Sequence, residues 1–331
     1  MRFAPSEENR AFAESLGDLL AGAGTVAAAR AWAAGDAGPG RKVWSALAEL
    51  GVTGLAVDEE HGGVGGGPVD LAVAFEALGY HAVPGPVVES IAVLPVLLTG
   101  GLADAHLPAL AEGAIGTVAI APRTPFLLDA DAADLRFVAA PDGAVAEAPA
   151  PTGPPRRSVD PTRRLFDAPE PAGGQAGDHA RAELLGAFAV SAQVLGAGRR
   201  LLDESVSYAK ARAQYGHAIG EYQSIKHLLA DVATRLELAA PLVQGAAVSL
   251  LAEGGPVHLD PVRDVAAARV ATADAAYLAA RTALQVHGAI GYTAEYDLGV
   301  WLTKVRALQS AWGTQAQHRA AVLDAVRGAA R

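Results

Sequence analysis

The residues best suited to chemistry gather in one short turn, Arg212-Ala213-Gln214-Tyr215-Gly216-His217-Ala218-Ile219-Gly220-Glu221-Tyr222-Gln223, set between two long helical patterns. The turn combines a permanent cation, the flat amides of Gln214 and Gln223, and glycines that leave backbone N–H groups open at a helix entrance. These groups suit a phosphate or a nucleotide: a guanidinium meets oxyanions with paired donors, and the first N–H groups of a helix carry the positive end of its dipole. A second Gly-punctuated stretch follows at Gln285-Val286-His287-Gly288-Ala289-Ile290-Gly291-Tyr292.

Long helices must hold these stretches in place. Residues 181–213 read as one helix, with Leu184, Leu185, Phe188, Val194, Leu195, Leu201, Leu202 and Val206 keeping one apolar face. After the turn, Ile225, Leu228, Leu229, Val232, Leu236, Leu242, Val243, Ala246 and Leu250 sustain a face for about seven turns. A third helix starts at Asp260-Pro261 and runs to Gln285, and segments 297–308 and 313–330 also read as helical. Short connections between long helices predict a four-helix-type bundle.

The N-terminal third is helical too. Ser6 is a good N-cap with Glu7 and Glu8 in the first turn, leading a helix that carries Phe12, Leu16, Leu19 and Leu20. A helix with Val43, Trp44, Leu47 and Leu50 stops at Gly51, and helices follow over 68–80, 86–99 with a kink at Pro95, and 102–112. The Gly-rich segment 54–67 reads as a flexible connector. Strands are expected over 115–121 and 135–140. Eight of the 20 prolines then fall between 141 and 178, a composition that favours loops and extended segments over sheet. The expected organisation is mainly α: a helical domain over 1–114, a reduced β region with a Pro/Gly-rich linker over 115–178, and a helical bundle over 179–331.

Composition narrows the function. A net charge of −10 argues against a nucleic-acid partner, and the absence of cysteine excludes disulfides and thiolate chemistry. The nine histidines make no convincing metal spacing. Met1–Glu8 has no apolar leader core, and no apolar run reaches the roughly 18 residues of a spanning helix. A cytoplasmic protein with no membrane partner is expected.

The turn at Arg212 resembles a signature of the acyl-CoA dehydrogenase family, Arg-x-x-Phe-Gly-x-x-(Ile/Leu)-x-x-x-Gln, with Tyr215 in place of the Phe. The stretch from Gln285 is similar to the family's Gln-x-x-Gly-Gly-x-Gly-(Tyr/Phe) motif, with Ala289 replacing the second Gly, and the 54–67 segment looks like a third family loop. In the family these motifs meet the ADP half of a FAD bound mainly by a neighbouring subunit. The resemblance therefore implies a cofactor-binding set of Arg212, at the FAD pyrophosphate, with Gln214, Tyr215, Gln223, Gln285 and the backbone of Gly288 and Ala289.

The family performs α,β-dehydrogenation of an acyl-CoA, a carboxylate removing the α-proton while the flavin accepts a hydride. That base is often the Glu of a Tyr-Glu-Gly-Thr segment, and this chain reads Ala311-Trp312-Gly313-Thr314, so Trp312 stands at the base position. An indole cannot remove a proton. Members that carry the base on the helix before the signature turn place it where Gly186 and Ala187 stand here, with Glu183 one turn earlier as an alternative base. The Thr-Glu-Pro and Trp-Ile-Thr segments that hold the flavin ring are absent, so strands that cradle the ring are expected to be missing. The chain thus resembles the degenerate subunit of heterotetrameric enzymes of actinobacterial steroid side-chain breakdown, an α2β2 complex with a full-length homologue that supplies the base and most of the acyl-CoA site. Two alternatives are a self-sufficient dehydrogenase using Glu183, and a purely structural helical subunit without FAD contact.

Overall fold

Ser6 opens the first helix as expected. Its hydroxyl accepts the N–H of Asn9 at 3.0 Å while Asn9 Oδ1 accepts the N–H of Ser6 at 3.3 Å, so two donors left over at the helix start are satisfied reciprocally. The computed structural model describes residues 6–171, 173–251, 259–293 and 295–329. The stretch read for a leader, up to residue 5, and the last residue of the 313–330 segment lie outside them.

Helix α1 (Glu7–Gly22) buries Leu16 and Leu20, and α3 (Gly38–Glu49) buries Val43, Trp44 and Leu47. Between them α2 (Thr25–Ala33), not separated by the sequence pattern, starts after Gly24. The 54–67 segment is no slack connector. Val64, Gly65 and Gly66 donate their N–H groups to the carbonyls of Gly54, Val57 and Leu55 at 2.9, 2.8 and 2.7 Å, closing it on itself. Next come α4 (Pro68–Tyr80) and then, within the 86–99 stretch, a π-helical turn (Glu89–Val93) running into α5 (Leu94–Leu97). Pro95 has no N–H to give and its ring crowds the preceding turn, so the helix widens there. Helix α6 (Gly101–Ala111) ends the lobe.

The central region holds more sheet than its prolines led us to expect. Strands β1 (Gly116–Ile120) and β3 (Leu135–Ala139) pair in parallel, β3 pairs antiparallel with β4 (Ala144–Glu147), and β4 with β6 (Gln175–Ala176). A separate antiparallel ribbon joins β2 (Phe126–Leu128) to β5 (Leu165–Asp167). The expectation of loops over 141–178 is thus corrected by three short strands. Every proline of that stretch falls between strands, so none removes a ladder hydrogen bond.

A C-terminal bundle follows: α7 (His179–Ala211), α8 (Gln223–Leu251), α9 (Pro261–His287), α10 (Leu298–Leu308) and α11 (Gln315–Ala329). Helix α7 is the central beam, packed on α4 on one side and on α8 and α9 on the other. The α4–α7 crossing is so close that a Cβ at Gly79 would lie 1.8 Å from Gln193 O, and one at Gly196 would lie 1.9 Å from Glu76 O. One apolar core runs through both helical parts. The β region is tied to it by Lys304 on α10, whose Nζ donates to Asp160 Oδ2 at 3.0 Å with both side chains buried.

Candidate functional site

The signature turn is a small hairpin. Helix α7 ends at Ala211 and Arg212 is extended; β7 (Ala213–Gln214) then pairs with β8 (His217–Ala218) across two residues of positive φ, Tyr215 at 54° and Gly216 at 84°. Positive φ at both central residues matches the twist of a two-residue hairpin. Gly takes that conformation freely, while for Tyr it costs about 1–2 kcal/mol. The loop is closed by the Ile219 N–H donating to Arg212 O at 2.8 Å and by the Tyr222 hydroxyl donating to Gln214 O at 3.1 Å. Gln223 then begins α8, so its open N–H end faces the same turn.

The two motif stretches lie side by side. Val286 packs with Ala209 and Ile219 in one buried cluster, which sets the end of α9 beside the turn. Gly288, at φ 65°, ends α9, and Ala289 stands exposed on a 3₁₀ turn (Gly288–Tyr292). Ala289 has no positive φ, so its methyl group is accommodated. His287 stacks on Tyr208 at 4.3 Å and gives its Nδ1 proton to Ala283 O at 2.8 Å; burial holds its pKa below the usual imidazole value. Arg212, Gln214, Gln223 and Gln285 are exposed, and Tyr215 is 93% exposed. Among the described residues none of these five side chains has a hydrogen-bond or ionic partner.

The position that the resemblance assigns to the base is the opposite case. Trp312 is 1% exposed, holds φ 54°, and gives its indole N–H to Glu89 Oε1 at 3.1 Å. Its ring lies against Gly186, where a Cβ would fall 2.4 Å from ring carbon Cδ2. Glu183, one turn earlier on α7, has Oε2 2.8 Å from Arg123 Nε. Thr314 spends its groups on α11: its N–H and hydroxyl donate to Gln317 Oε1 at 2.8 and 3.0 Å, capping the helix.

Four residues around Trp312 escaped the sequence reading: Glu89, Arg123, Arg269 and His318. Arg269 is fully buried on α9 and donates to the carbonyls of Leu308 and Ala311, fixing the chain just before Trp312; burial lowers its pKa to about 10. His318 Nε2 lies 3.2 Å from Trp312 O, and burial, with Arg269 and Arg123 nearby, lowers its pKa to about 4. A lone Glu89 in an apolar run and a lone Arg269 in an Ala-rich helix were the available signals. An indole fills the position that the resemblance assigns to the base, while a cation-bearing and amide-bearing turn stays open at the other end of α7.

Fold and site define a mainly helical chain: a helical lobe, a small β region, and a bundle with an open motif turn and a plugged centre. Comparison with known proteins gives the class. The model of the acyl-CoA dehydrogenase N-terminal domain matches residues 6–114, and that of the C-terminal domain matches residues 184–326. The acyl-CoA dehydrogenase IpdE2 of Mycobacterium tuberculosis is 32% identical over 307 residues, covering 91% of each chain. FadE34, an acyl-CoA dehydrogenase of the same organism, is 32% identical over 83% of this chain and 40% of its own length. Among solved structures, the ChsE4-ChsE5 complex from Mycobacterium tuberculosis shares the fold at a TM-score of 0.79, with 19% identity and 99% of each chain covered. The Tcur3481-Tcur3483 steroid ACAD shares it at 0.83, with 19% identity over 98% of this chain and 99% of that one.

This chain belongs to the acyl-CoA dehydrogenase family, whose members are FAD-dependent oxidoreductases.

Proposed function

We propose that this chain is the supporting subunit of a heteromeric FAD-dependent acyl-CoA dehydrogenase, serving the ADP end of a FAD whose ring lies on a full-length homologue. The observation that carries this reading is the buried Trp312, packed on Gly186 at the base position. The open turn adds to it. In this reading Arg212 pairs with the pyrophosphate, and Gln214, Tyr215, Gln223, Gln285 and the backbone at Gly288 and Ala289 line the ADP. Unspent donors beside the start of α8 fit such a group. Bound FAD supplies the hydride acceptor.

The partner supplies the base and most of the acyl-CoA site. FadE34 carries more than half its length outside the segment this chain matches, and two structural neighbours are named as pairs of unlike chains. We therefore favour an α2β2 assembly acting on a bulky, steroid-type acyl-CoA in the cytoplasm; among the described residues no helix is long and apolar enough to cross a membrane. The self-sufficient reading with Glu183 as base is weaker, because its carboxylate is engaged by Arg123.

The test is flavin stoichiometry of the chain purified alone and co-expressed with a neighbouring full-length homologue. We expect a colourless chain alone, and one FAD per pair of unlike chains in the complex. One FAD per copy of the isolated chain would overturn the proposal in favour of Glu183. A complex whose FAD is held equally well without this chain would leave only a structural role.

A further inference from the structure

Three rings join the two motif stretches from behind. Tyr208 is in the last turn of α7, and its carbonyl accepts the N–H of Arg212 at 2.8 Å. His287 is the last residue of α9 and precedes Gly288. The two rings stack at 4.3 Å with their planes 26° apart, and Tyr296, on the connection before α10, closes the third side at 4.9 Å from His287 and 6.0 Å from Tyr208. Tyr208 thus grips the backbone at Arg212, His287 the backbone at Gly288, and their contact sets how far apart the two stand.

The polar groups of the cluster are already spent or shut away. His287 is 5% exposed; its Nδ1 proton is on Ala283 O at 2.8 Å, and its Nε2 has no hydrogen-bond partner among the described residues. The carboxylate that acts on the ring, Glu204, is held by Arg200 at 2.8 Å and by the Tyr296 hydroxyl at 3.3 Å. The imidazole therefore serves as a packed, uncharged plate. Aromatic pairs contribute more than the area they bury, so the plate resists sliding.

We propose that Tyr208 and His287 are positioning residues for the ADP end: their stack sets the spacing between the Arg212 guanidinium and the backbone of Gly288 and Ala289, so that both meet one ligand. The inference rests on the ADP-end reading and adds what holds that end in shape. A spacing fixed in the free chain spares the ligand the cost of ordering it.

The test is the FAD dissociation constant of the complex with the full-length partner, read from flavin fluorescence. Tyr208→Leu and His287→Ala should each weaken FAD by about two- to tenfold, the worth of one aromatic pair converted to affinity. Tyr208→Phe and His287→Phe keep two rings and should stay within about twofold of wild type by the same conversion. Circular dichroism and urea unfolding of the isolated variants gauge the fold separately, and Tyr208→Leu, at a half-buried site, serves if His287→Ala does not fold. Arg212→Ala separates positioning from a merely structural role. In that background the stack substitutions should lose most of their effect, because the group they place is gone. Equal effects with and without the Arg212 side chain overturn the proposal. If Arg212→Ala weakens FAD and the stack variants do not, the proposal alone falls. If Arg212→Ala itself changes nothing, the ADP-end reading fails and the proposal falls with it.

Discussion

The ring of Trp312 rests on the bare α-carbon of Gly186, 2.4 Å from where a Cβ would stand. The two positions at which the resemblance places a family base therefore close on each other. One has become the plug and the other the room for it. The indole N–H is spent on Glu89, so the plug is tied at its rim as well as packed on its face.

Trp312→Ala should cost about 3–5 kcal/mol, the usual loss for emptying a large buried aromatic. Trp312→Phe keeps a ring on Gly186 but takes the donor from Glu89, and should cost about 1–3 kcal/mol. In a Glu89→Leu background the Phe substitution should cost much less, because no carboxyl is then stranded. Urea unfolding of the four proteins of this cycle reads the coupling. Additive losses would mean that the 3.1 Å hydrogen bond carries no weight.

The long helices were legible because their signals are local. Apolar spacing and Gly or Pro punctuation placed α7, α8 and α9 to within a few residues, and with them the turn at Arg212 and the neighbouring Gln285 stretch. What was missed is set by distant partners. Strand β6 exists because Gln175 meets Val145, and β2 because Phe126 meets Asp167, pairings that no local composition announces. The surroundings of Trp312 are of the same kind: Glu89 reaches it across 223 residues of chain. Trp312 could be matched from sequence to the position the resemblance gives the base, but not read as a buried plug.

Arg212→Ala should leave the fold intact, since the side chain is exposed and has no partner among the described residues. If Arg212 meets the FAD pyrophosphate, its loss removes a charge-assisted contact of about 1.5–3 kcal/mol. The complex with the full-length partner should then hold FAD about tenfold or more weakly by the same principle. Flavin retained after gel filtration, measured by absorbance, checks this against wild type. Unchanged retention would favour a structural role.

His318 should make stability fall with acid. Its pKa is about 4 in the fold against an ordinary 6.5, because burial and the nearby Arg269 and Arg123 disfavour the imidazolium. The unfolded chain therefore binds the proton first as pH drops. Above the unfolded value both states are neutral and nothing is lost. Between 6.5 and about 4 the unfolded state is drawn down progressively, for a total of about 3 kcal/mol once both states are protonated. His81 and His287 are shifted the same way by burial, while His61, held by Asp104 and Asp58, is shifted upward and opposes them. The share of His318 is isolated by His318→Gln, which keeps a donor for Trp312 O and cannot take up the proton. Urea unfolding at about pH 7.5 and about pH 4.5 should show a clearly smaller acid loss for the variant than for wild type. Identical losses in the two proteins would mean that the His318 ring meets solvent in the folded chain, and that the wall behind Trp312 opens in acid.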